Sequence, residues 1–166
     1  MGTATFDTNV FPAEKLVARA GALGVEVAVI SVTQREANGA TIEEEIRALE
    51  VILEFGIWDE SPWGGFKWAG DRAGDVFEKS LRILSNGSFP PPGSRGSLTD
   101  GQRRQFRDAM ILANHVLEGR DILVSGDCRA FINHGRRELI EGEFGTRIMT
   151  VKEFEGFLDS LENEGQ

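Results

Sequence analysis

The chain has 166 residues, of which 40% are hydrophobic, so it can bury a core of ordinary domain size. Its formal net charge of −9 argues against a protein that coats DNA or a membrane surface, because such roles usually need a basic surface. An enzyme that acts on nucleic acid is not excluded, since acidic metal ligands contribute to the total.

The first part of the chain predicts two strands separated by a helix. Residues 3–6 are a short predicted strand. Pro12 starts the helix, because its missing N–H is tolerated in a first turn, and Gly24 ends it. Residues 25–32 are almost all apolar and rich in β-branched side chains, which indicates a strand covered on both faces.

Two threonines predict the start of the next helices. Thr33 is expected to cap a short helix, because Glu36 follows it at the spacing of a capping box. Thr41 is expected to cap a longer helix over residues 41–53, whose first turn is acidic. The apolar stripe of that helix would consist of Ile46, Leu49, Ile52 and Leu53.

An insertion is predicted at about residues 56–98. Its first part, residues 56–70, predicts a loop or hairpin. Residues 71–84 predict a helix, and residues 85–97, with their run of prolines, predict a loop. The tryptophans of the first part could stack on bases, but a small satellite core or an oligomer contact is the favoured interpretation. They are Trp58, Trp63 and Trp68.

The last part of the chain predicts a long helix and then alternating strands and helices. Thr99 is expected to cap the long helix, which runs to about Glu118 and is stopped by Gly119. The remaining predicted elements are a strand over residues 122–125, a short strand over residues 147–150 and an amphipathic helix over residues 151–161.

The order of these elements predicts the fold class. Strands that alternate with helices favour an α/β fold with a mainly parallel central sheet and helices on both faces. We expect one such domain over residues 1–166. In folds of this kind ligands collect beyond the carboxyl ends of the strands, which is where Asp7 and Asp127 are expected.

Four acidic residues adjoin apolar runs where elements should begin or end: Asp7, Glu36, Asp108 and Asp127. A carboxylate normally avoids apolar surroundings, because an isolated buried ion is costly. Four carboxylates brought together would also repel one another and raise one another's pKa values. Two Mg²⁺ ions would cancel their four negative charges. The pattern therefore predicts a hydrolytic metal site.

Each of these acids also has an ordinary structural interpretation. Asp7 could be a turn residue with Asn9 as its partner, and Asp127 could form an Asx-turn after its strand. Glu36 could lie on a solvated helix face. Asp108 could be an exposed helix residue paired with Arg104.

As an ordered set, these motifs resemble those of the PIN domain family, and most closely the bacterial and archaeal VapC-like ribonucleases. The likeness covers residues 3–55 and 99–160. The D-T/S-N motif of the family is matched at Asp7, and its second acid at Glu36. The third motif, D-x-x-I-x-A, is matched from Asp108. The fourth, T/S-x-D-x-x-F, is matched at Ser125, Asp127 and Phe131 with one residue more than the commonest spacing.

The resemblance implies a three-layer sandwich that binds Mg²⁺ or Mn²⁺ and hydrolyses phosphodiester bonds, usually of RNA. Asp7, Glu36, Asp108 and Asp127 would be the metal ligands and catalytic residues. Asn9 and Ser125 would orient these carboxylates or a water molecule from behind. A bound metal lowers the pKa of a water molecule, so no histidine base is required.

Several basic residues could contact substrate phosphates. His134, Arg136 and Arg137 follow the Asp127 loop, although a solvated turn and helix start is the favoured interpretation for them. Arg107 and its neighbours Arg103 and Arg104 enter the helix of Asp108, where they could equally flank the site or pair with Asp100 and water. His115 is expected to be a satisfied helix histidine.

Two other functions compete with a metal-dependent endoribonuclease. A phosphatase of the haloacid-dehalogenase kind also begins with a strand-end aspartate and uses a later Gly-Asp pair. It needs further acids at the positions of Asn9 and Phe131, and this chain lacks them. A PIN-like binding scaffold without activity is the other alternative, which the presence of all four acids disfavours.

The expected partners and location follow mainly from the resemblance. RNA would be the substrate, and an antitoxin protein would be the partner if the chain is a toxin. Exposed apolar side chains on the helices over residues 41–55 and 71–84 would fit a homodimer. With Cys128 as its only cysteine the chain forms no intrachain disulfide. We see no signal peptide and no apolar run approaching ~18–20 residues, and expect a cytoplasmic protein without a membrane partner.

Overall fold

A computed structural model of the chain describes residues 2–56, 67–68 and 70–165, without the side chains of residues 56, 67 and 68. The sequence interpretations of Trp58 and Trp63 lie outside the described residues. The strands are β1 (Gly2–Phe6), β2 (Val25–Ile30), β3 (Glu50–Ile52), β4 (Phe55–Gly56), β5 (Lys67–Trp68), β6 (Ile122–Val124) and β7 (Arg147–Met149). The helices are α1 (Glu14–Ala22), α2 (Ser31–Glu36), α3 (Glu43–Arg47), α4 (Gly70–Leu84), α5 (Asp100–Leu117), α6 (Cys128–Phe131), α7 (Arg136–Phe144) and α8 (Val151–Glu164).

The central sheet has five strands in the order β3-β2-β1-β6-β7, and every pair in it is parallel. The chain adds β2 and β3 on one side of β1 and later adds β6 and β7 on the other side. The strand order therefore reverses between β1 and β6, and ligands of open α/β sheets bind at such a point. The expected parallel α/β sheet is confirmed.

Helices cover both faces of the sheet, because alternate side chains of each strand enter two different cores. On one face Phe6 packs with residues of α1, α3 and α8, and its ring meets Phe154 edge-on at 5.4 Å. On the other face Ile30 and Leu123 pack with residues of α4, α5 and α7. The molecule therefore has the three layers expected of this α/β architecture.

The two long helices that hold the second core begin and end as local signals require. Thr99 and Gln102 form a reciprocal capping box at the start of α5. Gly119, at φ +65°, follows Glu118, the C-cap residue of that helix. Helix α4 lies against α5, where Phe77 and Phe106 meet edge-on at 5.0 Å. These contacts fix the helix that carries Asp108.

The predicted strand over residues 25–32 is two residues too long, and the helix cap predicted at Thr33 is wrong. Strand β2 ends at Ile30, and α2 begins at Ser31 without a connecting loop. Thr33 therefore lies inside α2 and does not cap it, and the N-cap position belongs to Ile30. Since Ser31 and Val32 are buried like strand residues, the pattern did not reveal the change of structure.

The predicted helix over residues 41–53 is also wrong in its second half. Helix α3 ends at Arg47, has Ile42 at its N-cap, and receives no side-chain cap from Thr41. Residues 50–52 form β3, which pairs with β2 through the register Val29↔Val51 and Ile30↔Ile52. Pairing with a buried strand thus prevails over the helical spacing of these apolar residues.

The region predicted as an insertion contributes to a short parallel strand pair, β4 with β5, of which β4 already begins at Phe55, and it contains the helix α4. The apolar face of α4 is covered by α5. Among the described residues the exposed large hydrophobic side chains are Leu53 and Leu139. A homodimer and a single domain over the whole chain stay predictions. No described helix combines the length and the hydropathy that crossing a membrane requires.

Candidate metal centre

All four predicted acids line one cleft of about 370 Å³ at the carboxyl edge of the sheet. Asp7 directly follows β1, and Asp127 lies two residues after Ser125, which follows β6. Glu36 is the last residue of α2, and Asp108 lies in the middle of α5. The full lining is Asp7, Thr8, Asn9, Glu36, Arg104, Arg107, Asp108 and Asp127.

Asp7 is the most buried of the four carboxylates, with 4% of its surface exposed. Its Oδ1 accepts a hydrogen bond from Thr8 N at 2.8 Å, and its Oδ2 accepts one from Ser125 Oγ at 2.8 Å. The pKa of Asp7 is raised to about 6, mainly by burial and also by the charges of Glu36 and Asp127, whereas these two hydrogen bonds oppose the rise. The carboxylate is thus held in one orientation beside other negative charges.

Asp108 shows the mutual repulsion most clearly. Burial is the largest cause that raises its pKa to about 8. The negative charges of Asp7, Asp127 and Glu36 add to this, and only Arg107 opposes it. A carboxyl group with this pKa is largely protonated at neutral pH when no cation is bound. A bound divalent cation would lower the pKa of Asp108, because it would favour the charged form of the carboxyl group.

Asp127 has a structural role in addition to its place in the cleft. Its Oδ1 accepts hydrogen bonds from Arg129 N at 2.9 Å and Ala130 N at 3.0 Å, so it caps α6. The Asx-turn interpretation is confirmed, and the same residue lines the cleft. The cap fixes the carboxylate at the mouth of the cleft.

Asn9 and Ser125 tie together the two loops that follow β1 and β6. Ser125 is fully buried, and its Oγ accepts a hydrogen bond from Asp127 N at 3.0 Å while it donates to Asp7. Asn9 Oδ1 accepts one from Gly126 N at 2.7 Å. A Cβ at Gly126 would lie 3.3 Å from Asn9 O and Oδ1, so glycine permits this close approach. Sequence analysis considered Gly126 only as the glycine of a Gly-Asp pair, and did not foresee its close approach to Asn9.

Glu36 is held by two neighbours within the cleft. Its Oε2 accepts a short hydrogen bond from Thr8 Oγ1. Its Oε1 lies 3.1 Å from Arg107 Nε. Arg104 lies one turn earlier on α5 and lines the same cleft. Two arginines therefore face the four carboxylates, and Thr8 is a site residue that sequence analysis missed.

Of the six basic residues considered for phosphate binding, Arg104 and Arg107 line the cleft, whereas Arg103, His134, Arg136 and Arg137 do not. Arg137 instead forms two hydrogen bonds with Glu153 of α8, at 2.8 and 3.1 Å. Arg136 donates to the carbonyl of Arg129. His134 lies in an exposed turn with φ +60°. The start of α7 is therefore engaged in structural contacts away from the carboxylates.

His115 confirms its structural interpretation. It is fully buried, and its two ring nitrogens are hydrogen-bonded to Thr5 Oγ1 at 2.8 Å and Thr146 Oγ1 at 2.5 Å. Burial lowers its pKa to about 3, so the ring is neutral. It joins α5 to β1 just before Asp7.

The lining residues fit a hard divalent cation in chemistry and charge, because all four acids offer oxygen ligands. Burial is the largest cause of the raised pKa values of Asp7 and Asp108, and repulsion by the neighbouring carboxylates adds to it. Across the described residues, no three acidic, histidine or cysteine side chains are gathered closely enough to hold an ion as they stand. Several carboxylate oxygens are engaged by hydrogen-bond donors or by Arg107 instead.

Comparison with known proteins does not assign the chain to a family. No family model matches the sequence, and no curated protein matches it significantly. The likeness to PIN domains thus depends on the ordered motifs alone.

Proposed function

We propose that the protein is a PIN-like endoribonuclease that uses Mg²⁺ or Mn²⁺ to hydrolyse RNA phosphodiester bonds. One observation carries the proposal. Four carboxylates from four separate elements line a single cleft at the point where the strand order reverses, and burial together with their mutual repulsion raises the pKa of Asp7 and Asp108. This combination is typical of a cation-binding hydrolytic site.

The residues of the cleft have distinct roles in this proposal. Asp7, Glu36, Asp108 and Asp127 would hold the cation, which would supply a water molecule of lowered pKa near the scissile phosphate. Ser125 keeps Asp7 in its orientation, and Asn9 holds the neighbouring loop. Arg104 and Arg107 offer guanidinium groups to the phosphates.

The phosphatase alternative receives no support from the same site. Asn9, at the position where that mechanism needs a second aspartate, accepts a hydrogen bond from Gly126 N. Phe131, at the position of its last acid, is fully buried in the core. The toxin role, an antitoxin partner, a homodimer and a cytoplasmic location belong to our proposal through the resemblance alone.

The decisive experiment is cleavage of total RNA with Mn²⁺ by the wild type and by the Asp127→Asn variant. Asparagine also caps helices well, so the variant should fold while losing one ligand charge. We expect the cleavage rate to fall by at least about a hundredfold, and excess EDTA to abolish wild-type cleavage.

Asp100→Asn is the matched control, because it makes the same chemical change on an exposed residue that does not line the cleft. It should cleave at the wild-type rate. Full activity of Asp127→Asn would contradict the proposal. Failure of the wild type to bind Mn²⁺ at millimolar concentration would favour an inactive scaffold, and a phosphorylated Asp7 would favour the phosphatase.

A further inference from the structure

Within the described residues, an ion pair with Arg107 distinguishes Glu36 from the other acids of the cleft. Thr8 Oγ1 donates to one of its oxygens, and the Arg107 guanidinium lies 3.1 Å from the other. Both oxygens are thus engaged within the protein. Among the ion pairs of the described residues, this is the one that joins two residues of the cleft lining. Arg107 therefore occupies the ligand that a cation would need.

The Arg107–Glu36 pair is easily exchanged. The side chain of Arg107 is 47% exposed and that of Glu36 is 28% exposed. Ion pairs in such settings contribute little to stability, because water and salt screen them. A divalent cation that binds the other carboxylates of the cleft could therefore displace the guanidinium from Glu36.

The geometry points to a competition that couples cation binding to substrate binding. We propose that Arg107 and a divalent cation compete for Glu36, and that the cation frees the Arg107 guanidinium to bind an RNA phosphate. This inference rests on the proposed function and adds a regulation of the same site. Without a cation the Arg107 guanidinium stays paired with Glu36 and does not bind phosphate, so the cleft binds RNA weakly.

Arg104 completes the arrangement and provides its control. It lines the cleft one helical turn from Arg107 and, within the described part of the chain, makes no ion pair. Arg104 is therefore available to phosphate at all times, whereas Arg107 joins it after the cation binds. Two guanidinium groups on one wall of the cleft would bind the sugar–phosphate backbone without distinguishing between bases.

The first test is a calorimetric Mn²⁺ titration of the wild type, Arg107→Gln, Arg104→Gln, Glu36→Gln and the double variant Arg107→Gln/Glu36→Gln. Arg107→Gln should bind Mn²⁺ about two- to fivefold more tightly than the wild type, because the competing cation is gone. Arg104→Gln should change the affinity less, although it removes the same charge. The effect of Arg107→Gln should vanish in the Glu36→Gln background.

The second test measures the affinity for a single-stranded phosphorothioate oligonucleotide, which resists cleavage, with and without Mn²⁺. Without Mn²⁺, Arg107→Gln should bind this probe as the wild type does. With Mn²⁺ it should bind about tenfold more weakly than the wild type, because the freed guanidinium is missing. Arg104→Gln should bind the probe more weakly under both conditions.

The outcomes separate this inference from the proposed function. Suppose that the wild type binds Mn²⁺ and cleaves RNA. If Arg107→Gln then binds Mn²⁺ with the wild-type affinity, or if the effect of Arg107→Gln persists in the Glu36→Gln background, the competition is overturned while the proposed nuclease activity is retained. If the wild type binds no Mn²⁺, both proposals fail. Circular dichroism checks that each variant is folded, which the exposure of Arg107 favours.

Discussion

Ser125 shows how much of the site depends on one hydroxyl group. Its Oγ donates to Asp7 Oδ2 and accepts from Asp127 N, so it joins two acids that belong to different strands. The group lies directly after β6 and has no exposed surface. A buried hydroxyl with two such contacts sets the spacing of the carboxylates without itself facing a ligand.

Replacing this hydroxyl should weaken cation binding. In Ser125→Ala, Asp7 loses a bond that lowers its pKa, so the pKa should rise further above about 6 and protons should compete better with Mn²⁺. We expect about a tenfold loss of Mn²⁺ affinity at pH 7 and a smaller loss at pH 8.5, measured by calorimetry. Ser80→Ala is the control, because that buried serine donates to its own helix at Val76 O. Equal losses in both variants would contradict the prediction.

At the scale of elements, the junction of β2 with α2 decides where Glu36 stands. The strand passes into the helix at Ser31, and the helix of six residues ends at Glu36 beside Thr8 and Arg107. Ser31 Oγ donates to Glu54 Oε2 at 2.7 Å, and Arg35 pairs with the same carboxylate. The helix is therefore held at both ends against the carboxyl edge of β3.

Replacing Thr33 or Thr99 by valine should change the free energy of unfolding in opposite directions. Thr99→Val removes a helix cap and should lower the free energy of unfolding by about 1 kcal/mol. Thr33 Oγ1 is buried and has no hydrogen-bond partner among the described residues, so Thr33→Val should raise that free energy by about 1 kcal/mol. Urea denaturation of both variants measures the difference. A loss of stability in Thr33→Val would support the capping role that the sequence suggested.

At the scale of the molecule, the parallel sheet collects negative charge at one edge. Asp108 and Asp7 then bind protons more tightly in the folded chain than in the unfolded chain. His115 has the opposite effect, because its pKa is lowered to about 3 and protonation below about pH 6.5 favours the unfolded chain. The range from pH 9 to pH 7 therefore isolates the contribution of Asp108.

In the absence of divalent cations, the free energy of unfolding should rise as the pH falls from 9 to 7. The folded chain takes up a proton at Asp108, whose pKa is about 8, and the unfolded chain does not. This stabilisation is lost again as the pH rises through 8. We expect a change of about 1 kcal/mol, measured by urea denaturation at both pH values. Asp108→Asn and saturating Mn²⁺ should each remove it, and Asp100→Asn should retain it.

The sequence predicted those elements whose signals are local. The capping box at Thr99, the stop at Gly119 and the apolar run of β6 each depend on a few neighbouring residues. The four acids could be found because each adjoins such an element. Strand β3 could not, since its pairing with β2 is made across the sheet and its spacing also suits a helix. The Arg107–Glu36 pair could not either, because it joins residues of α5 and α2 that only the tertiary structure brings together.

Because no loop separates Ile30 from Ser31, the direction of Glu36 depends on the number of residues at this junction. One residue inserted there would rotate the rest of the short helix by about 100°. Glu36 would then turn away from Thr8 and Arg107, although every lining residue of the cleft kept its identity. A tolerated insertion would show that this junction does not set the direction in which Glu36 points.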